Sequence, residues 1–120
     1  MALVLIADDS PTDQHVLVRA LEKHGFETLI AKDGQEAIRL AGLHSPDVIL
    51  MDIVMPGMNG YQATRRLAQD PATASIPILI VSTKTQEADR VWGLRQGAVQ
   101  YLTKPVSEEE LVAAVRAVLG

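Results

Sequence analysis

The chain has 120 residues, 48% apolar and 3% aromatic, with 15 acidic against 11 basic side chains and a formal net charge of −4. That length suits one domain, residues 1–120, burying about two-thirds of its unfolded surface, and the absence of cysteine excludes disulfides, thiolate metal sites and catalytic thiols while fitting a reducing cytoplasm. Negative charge without a Lys/Arg block argues against direct nucleic-acid binding, and the opening apolar run, Met1 to Ala7, is far short of the roughly 20 residues of a membrane span and lacks the basic residues of a signal peptide.

Leu3–Ala7 reads as a strand buried on both faces, ended by Asp8-Asp9. Ser10 and Pro11 supply an N-cap and a first-turn proline, Gly25 a stop after His24, and Val16, Leu17, Ala20 and Leu21 the apolar face of the first helix. Glu27–Ala31 is the second strand, and Asp33 with Glu36 forms a capping-box pattern before Ala37, Ile38, Leu40 and Ala41. Asp47–Met51 is the third strand, ended by Asp52; Asn59 caps the helix that follows. Ile76–Val81 is the fourth strand, followed by Ser82-Thr83, and Thr83 or Thr85 caps a helix that stops near Gly97. Val99–Leu102 is the fifth strand, followed by Thr103-Lys104. In the last helix Ser107 and Glu110 form a capping box, Val106 staples onto Leu111, and Leu111, Val115, Val118 and Leu119 make the buried stripe. Strand and helix alternate five times without a linker or repeat, which predicts a doubly wound α/β fold with right-handed crossovers.

The polar residues that interrupt the apolar runs stand at the carboxyl ends of strands, the edge where open α/β sheets bind ligands. Asp8, Asp9, Asp52, Ser82, Thr83 and Lys104 would then share one cleft. At about 4 Å and an effective dielectric near 20, each close pair of carboxylates costs roughly 4 kcal/mol. Raised carboxylate pKa values or a hard divalent cation relieve this. Oxygen donors without His or Cys favour magnesium, or manganese, over zinc. Magnesium keeps several waters and takes one or two carboxylates together with phosphate oxygens, so a phosphoryl group is the expected remaining ligand. Asp52 is the candidate to receive it as an aspartyl phosphate. Lys104 and the cation would neutralise charge in the transfer, and Ser82 would donate its hydroxyl to a phosphoryl oxygen. Lys104-Pro105 is the natural place for a cis peptide.

As a set, Asp8-Asp9, Asp52-x-x-Met55-Pro56-Gly57-x-Asn59-Gly60, Ser82 and Lys104-Pro105 resemble the receiver domain of two-component response regulators. The resemblance runs from Leu3 to the final helix. It implies a flavodoxin-like sheet of five parallel strands, order 2-1-3-4-5, with five helices. It implies that Asp52 takes a phosphoryl group from a phosphohistidine on a sensor histidine kinase or its phosphotransfer domain. Asp9 and Asp52 would ligate magnesium directly, Asp8 through water, and Val54 through its main-chain carbonyl. Lys104 would pair with the phosphoryl group, while Ser82 and Tyr101 match the switch positions that shift inward together, a local charge change biasing a two-state element. Val54, Thr83 and Lys84 occupy positions that tune dephosphorylation: Thr83 stands where a smaller residue is common, and an apolar Val54 implies a long-lived phosphoryl state. The stretch Asp52 to Arg65, with Val91-Trp92-Gly93 and Arg95-Gln96-Gly97-Ala98, is similar to the stand-alone regulators of type IV pilus twitching motility, and related stretches occur in chemotaxis receivers.

Blander readings stand beside these. Asp8-Asp9 alone is a solvated turn and cap, Ser82 a helix cap, and Tyr101 a strand-end core aromatic. Pro56-Gly57 and Asn59-Gly60 are turn signals first. Trp92 is expected to pack against its neighbours, and His15, His24 and His44 to be surface residues. Glu108–Glu110 favours a helix N-terminus through the dipole alone. Met1 opens the chain and the fifth helix closes it, so the expected output is contact with a downstream protein through the helix 4–strand 5–helix 5 face, from a cytoplasmic monomer or weak phosphorylation-dependent dimer. A phosphate sink without its own output is a second reading. An aspartyl-phosphate phosphohydrolase is a third, but it needs Asp-x-Asp spacing after the first strand. A flavin carrier on the same fold is a fourth, but Asp8-Asp9 would repel the flavin phosphate.

Overall fold

Successive strand residues face opposite sides of a sheet, so continuous apolar strands need a helical layer on each face. The computed structural model, which describes residues 1–120, has that arrangement. Its elements are β1 (Leu3–Ala7), α1 (Pro11–Lys23), β2 (Glu27–Ala31), α2 (Gly34–His44), β3 (Val48–Met51), α3 (Gly60–Gln69), β4 (Ile78–Ser82), α4 (Glu87–Gln96), β5 (Gln100–Thr103) and α5 (Glu108–Leu119). The strands pair in parallel in the order β2-β1-β3-β4-β5, the flavodoxin-like order that the family resemblance implies.

Leu5, Ile49, Met51, Ile78 and Ile80 face Ala37, Leu40 and Ala41 of α2 and Ala63 and Leu67 of α3. Val4, Ile6, Val48, Leu50, Leu79 and Val81 face Leu17, Ala20 and Leu21 of α1 and Leu111, Ala114 and Val115 of α5. Each large side chain so buried contributes about 1.5–3 kcal/mol, and these two clusters hold the sheet edge in place. No helix is long and apolar enough to cross a membrane.

Several boundaries differ from the sequence reading for local reasons. β3 starts at Val48 because the Asp47 carboxylate accepts from Leu3 N at 2.7 Å, which makes it a brace at the strand's start. β4 starts at Ile78: Pro77 has no N–H to give, and Ile76 N closes a turn on Thr73 O. The strand therefore includes Ser82, and β5 correspondingly includes Thr103, its register partner. Neither Thr83 nor Thr85 caps α4; Gln86 does, with no side-chain bond, and the Lys84 carbonyl accepts from the Tyr101 hydroxyl at 2.6 Å.

The other caps are close to expectation. Ser10, Asp33 and Ser107 accept from Asp13 N, Glu36 N and Glu110 N. Glu36 accepts from Lys32 N rather than closing a box on Asp33, the expected box at Ser107 and Glu110 forms only its Ser107 half, and Asn59 with Gln62 forms the full reciprocal box. Val106 packs against the cluster containing Leu111. Val16 and Leu119, assigned to apolar stripes, are instead 55% and 36% exposed, because both lie at the rim of their helix's buried face. Trp92 is likewise 49% exposed on α4 rather than packed away.

Candidate functional site

Backbone hydrogen bonds that continue the ladder one residue past the strands fix the cleft. Asp8 N donates to Ala31 O at 3.0 Å, Asp52 N to Ala7 O at 2.9 Å, and Lys104 N to Ser82 O at 2.8 Å. Asp8, Asp52 and Lys104 are thus placed by sheet geometry rather than by flexible loops. Ser82 is fully buried as the last residue of β4, and its hydroxyl accepts from Lys84 N at 3.2 Å. The Lys104–Pro105 bond is cis.

Carboxylate oxygens of Asp8, Asp9 and Asp52 lie within 4.8 Å of one another, Asp8 and Asp52 buried and Asp9 exposed. Asp8 accepts from Ser10 N at 2.9 Å, and Asp52 accepts from Ile53 N at 2.7 Å. The Lys104 ammonium donates to Asp8 at 2.8 Å and to Asp52 at 3.2 Å. It also donates to Asp13 at 2.7 Å. Asp13 is absent from the sequence reading; its only signal was an acidic residue three positions after the N-cap, which the helix dipole already explains.

Burial lifts the Asp52 carboxyl above the ordinary carboxylate range; Lys104 opposes this and Asp8 adds to it. Burial acts on Lys104 in the opposite sense, but hydrogen bonds to Asp13 and Asp8 outweigh it and hold the ammonium firmly protonated. The donor set is oxygen-only, clustered and short of positive charge, so it fits a hard divalent cation. Thr83 and Lys84 are exposed, and the Val54 side chain is 59% exposed. Thr83 lines a groove of about 260 Å³ with Asp13, Val16, Leu17, Lys104, Pro105 and Val106.

Tyr101 is half-buried beside Gly93; a Cβ there would stand 3.2 Å from its ring. Tyr61 donates to Asp89 Oδ1 at 3.2 Å, which ties α3 to α4. Burial raises both phenols above the usual 10.0; Asp89 adds to the rise at Tyr61, and the Ser82 hydroxyl opposes it at Tyr101. The folded state holds both protons more tightly, so their contribution to stability is present below about pH 10 and lost as pH rises through the raised values. Ultraviolet titration should show fewer phenolates at pH 10 in the folded protein than in urea; coincident curves would contradict this placement.

A five-stranded sheet with three clustered carboxylates, a buried serine and a lysine on one edge matches a known family. Residues 4–116 match the response regulator receiver domain, and the chain belongs to that family. Over 120 residues it is 57% identical to protein PilH of Pseudomonas aeruginosa, covering 100% of this chain and 99% of that one. Longer relatives it spans by about half or less. Among solved structures, chemotaxis protein CheY4 of Vibrio cholerae superposes with a TM-score of 0.92 at 32% identity, covering 98% of each chain. The receiver domain of a Pseudomonas aeruginosa sensor histidine kinase has a TM-score of 0.93 at 30% identity, covering 99% of this chain and 98% of that one; it holds a magnesium ion in its active-site cleft. The chain is a phosphoacceptor receiver and not a canonical enzyme, and neither the phosphohydrolase nor the flavin-carrier reading is favoured.

Proposed function

We propose that residues 1–120 act as one stand-alone receiver in which Asp52 is the phosphoacceptor. An Asp52 carboxylate oxygen attacks phosphorus while the bond from phosphorus to the kinase imidazole breaks, and the imidazole departs with that electron pair. Asp9 and Asp52 would hold magnesium, or manganese, directly, Asp8 through water and Val54 through its carbonyl; the cation supplies charge neutralisation to the transferring group. Lys104 pairs with the phosphoryl oxygens, and Ser82 and Tyr101 report the new charge to the α4–β5–α5 face, where a downstream protein docks.

The observation that carries this reading is the Lys104 ammonium, bonded to Asp8 and Asp52 at the carboxyl edge of the sheet. Whole-length likeness to PilH supports a stand-alone regulator of the type IV pilus class and a cytoplasmic location. The exposed apolar Val54 side chain offers no group to orient water, which supports slow loss of the phosphoryl group. The test is intact mass after incubation with acetyl phosphate and magnesium. Wild type should gain one phosphoryl adduct that decays slowly, and Asp52→Asn none; an adduct of equal yield in the variant would overturn the assignment.

A further inference from the structure

An ammonium has three N–H donors, and Lys104 has committed all three. The shortest bond, 2.7 Å, goes to Asp13; the longest, 3.2 Å, goes to Asp52. Asp13 is held in place from behind: its N–H is bonded to the Ser10 hydroxyl at the start of α1. Its side chain is 41% exposed at the edge of the groove, whereas those of Asp8 and Asp52 are 2% and 11% exposed. The lysine tip is a compact charge on a flexible stem, so acceptors on its two sides divide its time.

We propose that Asp13 is a positioning residue that draws the Lys104 ammonium away from Asp52 toward α1, so that Lys104 engages an incoming phosphoryl group only as it gives up Asp13. This rests on the reading of Asp52 as the phosphoacceptor. It adds a brake, set by a residue outside the metal cluster, on the charge neutralisation that transfer requires. Asp13→Asn keeps the shape and a polar end but removes the competing charge. The pair is partly solvated, so the effect is modest, about two- to fivefold.

The experiment uses the full chain with acetyl phosphate at saturating magnesium, a donor that needs no kinase docking. In the reaction the Asp52 oxygen bonds to phosphorus, the acyl oxygen–phosphorus bond breaks, and acetate leaves. Initial rates of adduct formation are measured by mass for wild type, Asp13→Asn, Asp13→Glu, Lys104→Met and the double variant Asp13→Asn with Lys104→Met. Asp13→Asn should be faster than wild type by about two- to fivefold, Asp13→Glu should return toward wild type, and the gain should vanish in the Lys104→Met background. That last comparison removes any general benefit of a less negative surface toward an anionic donor. A rate unchanged or lowered by Asp13→Asn, or an equal gain without Lys104, would overturn the inference while leaving the phosphoacceptor intact. A wild type that takes no phosphoryl group overturns the phosphoacceptor reading, and this inference with it.

Discussion

Lys104→Met is expected to lower the stability of the metal-free protein by about 2–3 kcal/mol and to enlarge the stabilisation that magnesium provides. The variant leaves Asp8 and Asp52, with side chains only 2% and 11% exposed, facing each other without their shared cation. Removing one partner of a buried pair costs about 3–5 kcal/mol; the opening of the cleft at exposed Asp9 reduces that figure here. The bond to Asp13 adds little to the loss, because that carboxylate is 41% exposed and water replaces the ammonium. A divalent ion that binds only the folded state adds about 2.7 kcal/mol at a hundred times its dissociation constant. In the variant it also relieves repulsion that the lysine had been relieving, so its affinity should rise. Urea unfolding of both proteins with and without magnesium checks both parts. An unchanged metal-free midpoint, or equal magnesium increments, would show that Lys104 does not hold the carboxylates together.

The same cluster shows what the sequence made legible. Strand-terminal acids and one lysine were readable because short continuous apolar runs end at them, and a parallel sheet gathers strand ends on one edge. Asp13 was not readable in this way. It lies inside a helix, where an acidic residue in the first turn already has a sufficient explanation; only the tertiary position of Lys104, 91 residues away in sequence, gives it a second. The start of α4 failed for a similar reason. Thr83 and Thr85 are good caps by composition, but the Lys84 carbonyl is taken by the Tyr101 hydroxyl from β5, a long-range bond that local preference cannot express. Tyr61 and Asp89 likewise meet across α3 and α4 with nothing in the spacing to announce it. Boundaries at β4 and β5 moved by one or two residues because hydrogen bonding, not hydropathy, decides where a ladder begins, and Pro77 cannot donate.

Gly60→Ala is expected to destabilise the protein by about 3 kcal/mol or more, beyond the ordinary range for an overfilled core, and to weaken magnesium binding with it. Gly57 and Gly60 read as equivalent turn glycines in the motif Pro56-Gly57-x-Asn59-Gly60, but they are required for different reasons. Gly57 has φ +71° and open space around it, so alanine there meets only backbone strain, about 1–2 kcal/mol. Gly60 has no positive φ, yet a Cβ would stand 1.9 Å from the Asp52 carbonyl oxygen and 2.8 Å from the Ile53 Cα. Its N–H also donates to Ile53 O at 2.9 Å, which locks the start of α3 onto the segment that follows Asp52. The obstacle is backbone on both sides and cannot rotate away as a side chain would. Either α3 moves off the sheet, opening the cluster around Ala63 and Leu67, or the Asp52–Ile53 segment shifts and takes the carboxylate with it. Denaturant unfolding and magnesium titration of Gly60→Ala, with Gly57→Ala alongside, separate the two causes. The expected order is a loss at Gly60 larger than at Gly57, with metal binding impaired only at Gly60. Equal, small losses and unchanged metal affinity in both would mean that the contact between α3 and the Asp52 backbone does not position the site.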